Sequence, residues 1–160
     1  MTVLRPIADD DVPPVLGLNE RNVEMLAPMD EARLRELRLM ADRFDVLDMD
    51  GVFAGFVVTF HPGTSYDSEN YQWFTERHGT EFYYLDRIVL HEDFRRHGLG
   101  SFVYDEVERT AAARYGRLAL EVNLVPRNHG SLAFHERRGY VEVGRLGDED
   151  HLVALLEKAL

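Results

Sequence analysis

The stretch IVLHEDFRRHGLGSFVYDEV, residues 88–107, joins an apolar strand pattern to a helical pattern through a short basic loop. The loop carries the triplet Arg95-Arg96-His97, and Gly98 and Gly100 follow at the predicted start of the helix. The first turn of a helix has unpaired N–H groups and the positive end of the helix dipole, so it attracts anions. Glycines let an anion approach the backbone, and arginines add charge-assisted hydrogen bonds. The stretch therefore predicts a phosphate-binding loop that suits a pyrophosphate.

Two common phosphate motifs do not fit this loop. The P-loop needs a lysine directly after its last glycine, where this chain has Ser101. The Rossmann fingerprint needs a third glycine, and that position is occupied by Val103. What remains is the pattern Arg-x-x-Gly-x-Gly from Arg95 to Gly100. Taken alone, this pattern also describes a capped helix with solvated arginines.

A second motif follows after another strand pattern, within LEVNLVPRNHGSLAFHERRGYVEVG, residues 120–144. Together with LDRIVLHEDFRRHGLGSFVYDEVE, residues 85–108, it resembles the GNAT superfamily, the acyl-coenzyme-A-dependent N-acetyltransferases. The first segment is similar to that family's signature strand, pyrophosphate loop and helix. The second is similar to its next strand, its N-x-x-[AS]-x-x-F helix and the turn that follows. The resemblance is close over residues 82–145 and extends to the front half of the chain only in element order.

The resemblance implies that acetyl-coenzyme A is the co-substrate. Backbone N–H groups from Arg96 to Ser101 would bind its pyrophosphate, and Arg95 stands where the family has Gln or Arg. The end of the preceding strand would pair with the pantetheine arm and polarise the thioester carbonyl, while the second helix would meet the other side of the arm. The implied coenzyme-binding residues are Ile88, Val89, Leu90, Arg95, Arg96, His97, Gly98, Leu99, Gly100, Ser101, Asn128, Ser131 and Phe134.

The resemblance also implies the fold class, α/β (α+β). We expect a mixed, strongly twisted sheet of about six or seven strands, flanked by about four helices and splayed between the central strands. The tail, residues 151–160, has helical propensity, but the family ends in a β-hairpin, so a last strand is predicted. The residue pattern itself predicts a hairpin turn at Asp50-Gly51 and helices that begin with Asp30 and Asn128 as N-caps. The polar segment 61–80 is predicted as a long loop. Its aromatic residues favour either a loop pinned by its own cluster or a wall of the substrate site.

Composition narrows the class of protein. The 160 residues suit a single domain over residues 1–160, and the absence of cysteine excludes disulfides, thiolate metal sites and a cysteine acyl-enzyme. The histidines show no metal-binding spacing, so no metal is predicted. The formal charge of −11 argues against a nucleic-acid partner and favours cationic small molecules. No apolar run reaches the ~18 residues of a membrane span, and the N-terminus lacks a signal-peptide pattern. We therefore expect a cytoplasmic protein without membrane contact, and family analogy suggests a homodimer.

Acetyl transfer to an amine needs a proton acceptor and a proton donor for the leaving thiolate. Many relatives carry a tyrosine directly after the phenylalanine of the second motif, where this chain has His135. Our hypothesis is that His135 acts as the general acid, and the alternative is that it packs at the helix face or binds the coenzyme arm. The family fixes no base. Among Asp86, Glu81 and Glu121 we favour Asp86, with an ordinary ion pair, for instance to Arg87, as the alternative.

The acceptor is predicted to be a small-molecule amine or a peptide amine. Glu24, Tyr71 and Trp73 are the candidate acceptor contacts, through charge pairing and cation–π interaction. Because the chain has neither a cysteine nor a GxSxG serine, we predict direct attack of a primary amine on acetyl-coenzyme A in a ternary complex. The alternative function is a non-catalytic module that binds and senses acyl-coenzyme A, which the missing tyrosine favours.

Overall fold

A computed structural model describes residues 1–160. The helices are α1 Val12–Arg21, α2 Glu31–Met40, α3 Glu69–His78, α4 Leu99–Arg114 and α5 His129–Arg137. The strands are β1 Thr2–Pro6, β2 Arg43–Met49, β3 Val52–Phe60, β4 Tyr83–Leu90, β5 Arg117–Val125, β6 Val141–Gly147 and β7 Leu152–Ala159. None of the helices has both the length and the apolar surface that a membrane crossing requires.

Backbone contacts group the chain into two compact units, and each unit combines two separate parts of the sequence. The first unit contains Met1–His61 and Leu85–Val107, and the second contains Pro62–Tyr84 and Glu108–Leu160. The backbones of β4 and α4 are each divided between the two units. The prediction of one domain over residues 1–160 stays a prediction.

The first unit contains the strand order β1-β2-β3-β4. β1 pairs antiparallel with β2, and β2 pairs antiparallel with β3. The β2–β3 turn has Asp50 at φ 53° and Gly51 at φ 87°, the left-handed conformation expected of a tight hairpin. α2 begins as predicted, because the Asp30 carboxylate accepts the Arg33 N–H at 2.8 Å and caps the helix. The predicted hairpin and helix of this unit are therefore confirmed.

The second unit contains the strand order β4-β5-β7-β6. β4 and β5 are parallel, and their ladder is short: Tyr83 pairs with Leu118 and Tyr84 with Ala119. β5, β7 and β6 are antiparallel neighbours. The sheet is thus mixed, with seven strands, and five α-helices accompany it, one more than the approximate number expected. The tail forms β7, so the predicted last strand is confirmed despite its helical propensity.

The prediction of a loop over residues 61–80 is wrong for half of the segment. Residues 69–78 form α3, which begins where the Ser68 hydroxyl accepts the Tyr71 N–H at 3.2 Å. The sequence does not reveal this helix, because Tyr71 and Phe74 are its only fully buried side chains. Two buried positions are too few to show a helical period among polar neighbours.

An aromatic cluster surrounds α3, consisting of Tyr66, Tyr71, Phe74, Phe82 and Tyr84. The rings of Tyr71 and Tyr84 meet edge to face at 5.4 Å, and Tyr66 lies 5.6 Å from Tyr71. Edge-to-face geometry suits the quadrupoles of the rings and adds to the gain from burial. The Tyr71 hydroxyl also accepts the Thr64 N–H at 3.0 Å, which ties the remaining loop to the cluster. Of the two readings of this segment, the structure supports a loop pinned by its own aromatic residues.

Candidate active site

The basic loop after β4 has an unusual backbone. A single 3-10 turn over Glu92–Phe94 leads into it, and α4 begins at Leu99. Arg96 adopts φ 66° and Gly98 adopts φ 74°, with a residue of ordinary φ between them. Alternation of right- and left-handed residues turns successive N–H groups toward one side and forms a concave anion-binding nest. A positive φ costs free energy at a residue other than glycine, so its presence at Arg96 marks a backbone held in a special shape.

The first turn of α4 adds further free donors to this nest. The first N–H bonded inside the helix belongs to Phe102, which donates to the Gly98 carbonyl at 3.1 Å. The N–H groups of Leu99, Gly100 and Ser101 precede it and have no partner within the helix. The loop itself is exposed to solvent. The predicted pyrophosphate loop therefore has the backbone shape, the donors and the access that an anion needs.

Two side-chain contacts join this loop to the end of α1. Arg95 Nη2 donates to Asn22 Oδ1 at 3.2 Å, and Arg21 Nε lies 2.9 Å from Glu92 Oε1. Sequence reasoning missed both contacts, because the partners are about 70 residues apart in the chain and neither pair has a distinguishing pattern. The Asn22 contact orients the guanidinium of Arg95, the residue expected to reach the pyrophosphate.

The end of β4 presents backbone groups on the side away from β3. The His91 N–H donates to the Ala54 carbonyl at 2.8 Å, and a Cβ added at Gly55 would lie 2.4 Å from the Val89 carbonyl oxygen. Val89 and His91 therefore direct their backbone groups toward β3. Backbone direction alternates along a strand, so Ile88 and Leu90 direct theirs to the other side. The β4–β5 ladder is formed by Tyr83 and Tyr84 of β4. The pantetheine contacts implied for Ile88, Val89 and Leu90 stay predictions.

Asp86 forms the ion pair that sequence analysis considered as its alternative role. Its Oδ2 lies 2.9 Å from Arg87 Nε, and both side chains are about 95% buried. Arg87 Nη1 also donates to Asn19 Oδ1 at 3.1 Å and to the Ala27 carbonyl at 3.2 Å. Arg87 thus ties β4 to the segment that follows α1. The structure does not test whether Asp86 also accepts a proton, and that role stays a prediction.

His135 is buried and held by its own helix. Its Nδ1–H donates to the Ser131 carbonyl at 2.7 Å, and its ring meets the ring of Tyr140 edge to face at 5.2 Å. Burial lowers the pKa of His135, with the nearby charge of Arg138 as a smaller cause in the same direction. A neutral ring with Nδ1 protonated has no proton on Nε2 to give. These surroundings favour the packing role, and the general-acid role stays a prediction.

The start of α5 is capped as predicted. Asn128 Oδ1 accepts the Ser131 N–H at 3.2 Å, which is the bond expected of an N-cap residue. Phe134 is half-buried, and the Arg138 guanidinium lies 5.9 Å from its ring centre. These contacts fix the first turn of α5, while the coenzyme contacts implied for Asn128, Ser131 and Phe134 stay predictions.

Comparison with known protein families identifies the family of this chain. The sequence model of the acetyltransferase (GNAT) family matches residues 14–140. The chain belongs to the GNAT acetyltransferase family. Members of this family use acetyl-coenzyme A as co-substrate and act on amine acceptors, so the predicted family and acyltransferase class are confirmed for this GNAT protein.

Solved structures share the fold of this GNAT protein over nearly its whole length. Ard1 from Thermoplasma volcanium has a TM-score of 0.77 at 17% identity and covers 99% of this chain and 97% of its own. A GNAT-family acetyltransferase from Streptococcus pneumoniae has a TM-score of 0.70 at 18% identity, covering 100% and 99%. A ribosomal-protein-alanine N-acetyltransferase from Brucella melitensis has a TM-score of 0.64 at 18% identity, covering 99% of each chain. At these identities the likeness establishes the fold.

A second carboxylate of the GNAT protein has a defined partner. The Tyr84 hydroxyl donates to Glu121 Oε2 at 2.5 Å. Tyr84 is fully buried in the aromatic cluster, whereas Glu121 is half-buried on β5. A phenol fixed in this way holds the carboxylate in one orientation. Glu121 was a candidate from the sequence because it lies on the neighbouring strand, but nothing in the sequence pointed to Tyr84 as its donor.

The three predicted acceptor contacts of the GNAT protein have separate surroundings. Glu24 is exposed after α1, whereas Tyr71 is 2% exposed and belongs to the aromatic cluster. Trp73 packs against β6, where a Cβ added at Gly144 would lie 2.6 Å from the indole, and Arg77 lies over the indole at 5.6 Å. Burial of Tyr71 and packing of Trp73 explain both residues as structural, and their acceptor contacts stay predictions. No group of three or more His, Asp or Glu side chains is arranged to hold a metal ion.

Proposed function

We propose that this chain transfers the acetyl group of acetyl-coenzyme A to a primary amine of a small molecule or peptide, by direct attack within a ternary complex. The observation that carries the proposal is the nest at Arg96 and Gly98, followed by the free N–H groups of the first turn of α4. A diphosphate matches this array because it is a doubly charged anion with several acceptor oxygens. The coenzyme is the co-substrate that the family uses.

The remaining coenzyme contacts follow from the same proposal. The backbone groups of Ile88 and Leu90 bond the amides of the pantetheine arm in the manner of an added strand. Arg95 adds a charge-assisted contact to the pyrophosphate, in the orientation that Asn22 supports. Asn128, Ser131 and Phe134 contact the arm from α5. Cytoplasmic location and a homodimer complete the proposal, and neither is needed for the chemistry.

In the reaction, a bond forms between the amine nitrogen and the thioester carbon, and the bond between that carbon and sulfur breaks. The amine gives up one proton, and the departing thiolate gains one. A strand N–H, such as that of Leu90, stabilises the oxygen while it carries negative charge. Asp86 is the proposed proton acceptor, and Glu121, held by Tyr84, is a second carboxylate that can serve the same purpose.

The test is release of free thiol from acetyl-coenzyme A in the presence of amines. The panel contains polyamines, aminoglycosides and peptides with an N-terminal alanine, the last because one structural relative is a ribosomal-protein-alanine N-acetyltransferase. We expect thiol release that depends on one amine class, together with a rise in melting temperature when acetyl-coenzyme A is present. A rise in melting temperature without thiol release for any amine would instead establish the sensing module.

Replacing His135 with phenylalanine is expected to leave kcat within about twofold of the wild-type value, since the neutral ring has no proton available for the thiolate. A second effect concerns stability. Because the pKa of His135 is lowered in the folded state, the unfolded chain binds a proton more readily here, so the free energy of unfolding falls as the pH drops below about 6.5. The variant should lose this part of the pH dependence in urea titrations.

The matched control for this variant is His135→Gln, which keeps a polar group toward the Ser131 carbonyl but cannot titrate. Two results together would establish the general-acid role instead. The kcat of both variants would fall tenfold or more, and the wild-type rate would depend on a protonated group in a pH titration.

A further inference from the structure

A groove with a volume of about 260 Å³ lies in the second unit, between α5 and the outer strand β6. Its lining includes Tyr140 and four aliphatic side chains, which we call the aliphatic floor: Leu124, Leu132, Ala154 and Leu156. We call it the α5–β6 groove. None of the residues that we assign to coenzyme A lines it, so its presence is independent of the proposed acetyl transfer.

Irregular strand pairing shapes the α5–β6 groove from both sides. In β6 the register with β7 shifts between Glu142 and Gly144, so β6 contains one extra residue at that point. Residues three apart on a regular strand face opposite sides, but this bulge brings Glu142 and Arg145 to the same side, where they bond at 3.2 Å. A second shift lies between Asn123 and Val125 of β5. Bulges of this kind often redirect side chains beside binding sites.

Charged side chains of both signs surround the aliphatic floor. Glu142 and Arg145 are paired with each other, while Arg127 and Glu136 also line the groove, are exposed to solvent and have no ion pair or side-chain hydrogen bond. The four charges sum to zero. The groove therefore offers one free cation, one free anion and aliphatic side chains in its lining.

We propose that the α5–β6 groove binds a free α-amino acid with an apolar side chain. The amino-acid carboxylate pairs with Arg127, its ammonium group pairs with Glu136, and its side chain lies on the aliphatic floor. An inorganic anion would satisfy only Arg127 and leave the floor uncovered, and a simple amine would satisfy only Glu136. The volume is just below the usual range for small-molecule sites, which suits a ligand of amino-acid size.

The experiment is calorimetric titration of the full chain with leucine and with phenylalanine, in the absence of acetyl-coenzyme A. We expect at least one of them to bind. N-acetyl-leucine, which lacks the ammonium group, and leucinamide, which lacks the carboxylate, should each bind about tenfold more weakly than leucine. Arg127→Gln and Glu136→Gln should each weaken amino-acid binding by about the same factor. The matched control is Arg137→Gln, since Arg137 is exposed on the same helix and outside the groove.

Each contrary outcome overturns the proposal. The groove is not an amino-acid site if neither amino acid gives heat, if inorganic phosphate binds as well as leucine, or if affinity is unchanged in both groove variants while their melting temperatures show them folded. An amino acid that binds only as the acetyl acceptor would be consumed with thiol release when acetyl-coenzyme A is added, and its binding would survive Arg127→Gln. Failure of the thiol-release assay alone would leave the groove measurement unaffected.

Discussion

Replacing Gly98 with valine is expected to weaken acetyl-coenzyme A binding about a hundredfold, because the variant loses donors to the pyrophosphate. Gly98 has φ 74°, a conformation that a β-branched residue strongly disfavours. No atom lies within 4 Å of a Cβ added there, so the effect comes from the backbone and not from a clash within the protein. When the backbone leaves this conformation, the N–H groups no longer converge. The measurement is calorimetric titration with acetyl-coenzyme A.

The matched control is Gly51→Val in the β2–β3 turn. Gly51 has φ 87° and also lies in open space, so the substitution imposes a similar backbone strain away from the loop. We expect a comparable loss of melting temperature in the two variants and unchanged coenzyme affinity in Gly51→Val. Normal coenzyme binding by a folded Gly98→Val protein would show that the nest does not hold the pyrophosphate, and the proposed enzyme function would lose its main support.

Replacing Arg87 with methionine is expected to lower the free energy of unfolding by about 3–5 kcal/mol. Arg87 is 5% exposed and joins Asp86, Asn19 and the Ala27 carbonyl. Without the guanidinium, the buried Asp86 carboxylate loses its ion-pair partner, and the buried Asn19 side chain and the Ala27 carbonyl each lose a donor. Urea denaturation of the wild type and the variant measures the difference.

A double-mutant cycle separates the ion pair from the other bonds of Arg87. Asp86→Asn combined with Arg87→Met should be less destabilised than the sum of the single variants, since the unpaired charge is then absent. Arg35→Met is the matched control, because Arg35 pairs with Glu31 at an exposed site, and its loss should cost less than about 1 kcal/mol. Additive losses would show that Asp86 and Arg87 are not coupled. The reaction rate of Asp86→Asn, measured across pH, tests the proposed proton acceptor. A loss of activity that higher pH does not restore supports Asp86 as the base, and full activity dismisses that role.

Much of the fold followed from local sequence signals. The hairpin turn at Asp50-Gly51, the cap at Asp30 and the cap at Asn128 are each set by residues within a few positions of one another, and all three occur as expected. The helix α3 was missed because its polar composition masks a short buried face. The strand β7 was obtained only from the family resemblance, since its own residues favour a helix and pairing with β5 and β6 overrides that preference.

The candidate site shows the same difference between local motifs and contacts made across long sequence separations. The predicted phosphate loop is a local motif, so residues 95–101 could be proposed from the sequence, and the structure adds the positive φ angles of Arg96 and Gly98. Contacts made across long separations could not, because no spacing links Asn22 to Arg95 or Asn19 to Arg87. Local patterning left open whether His135 packs at the helix face or acts as an acid, because burial depends on elements that pack from elsewhere in the chain.

The packing of Trp73 against Gly144 gives the protein an internal optical probe. Trp73 is the only tryptophan of the chain, so its fluorescence has a single source. Its indole touches the backbone of β6 beside the bulge that shapes one wall of the α5–β6 groove. A ligand that displaces β6 on entering the groove is therefore expected to change the emission of Trp73, which can be measured in solution on the unlabelled protein.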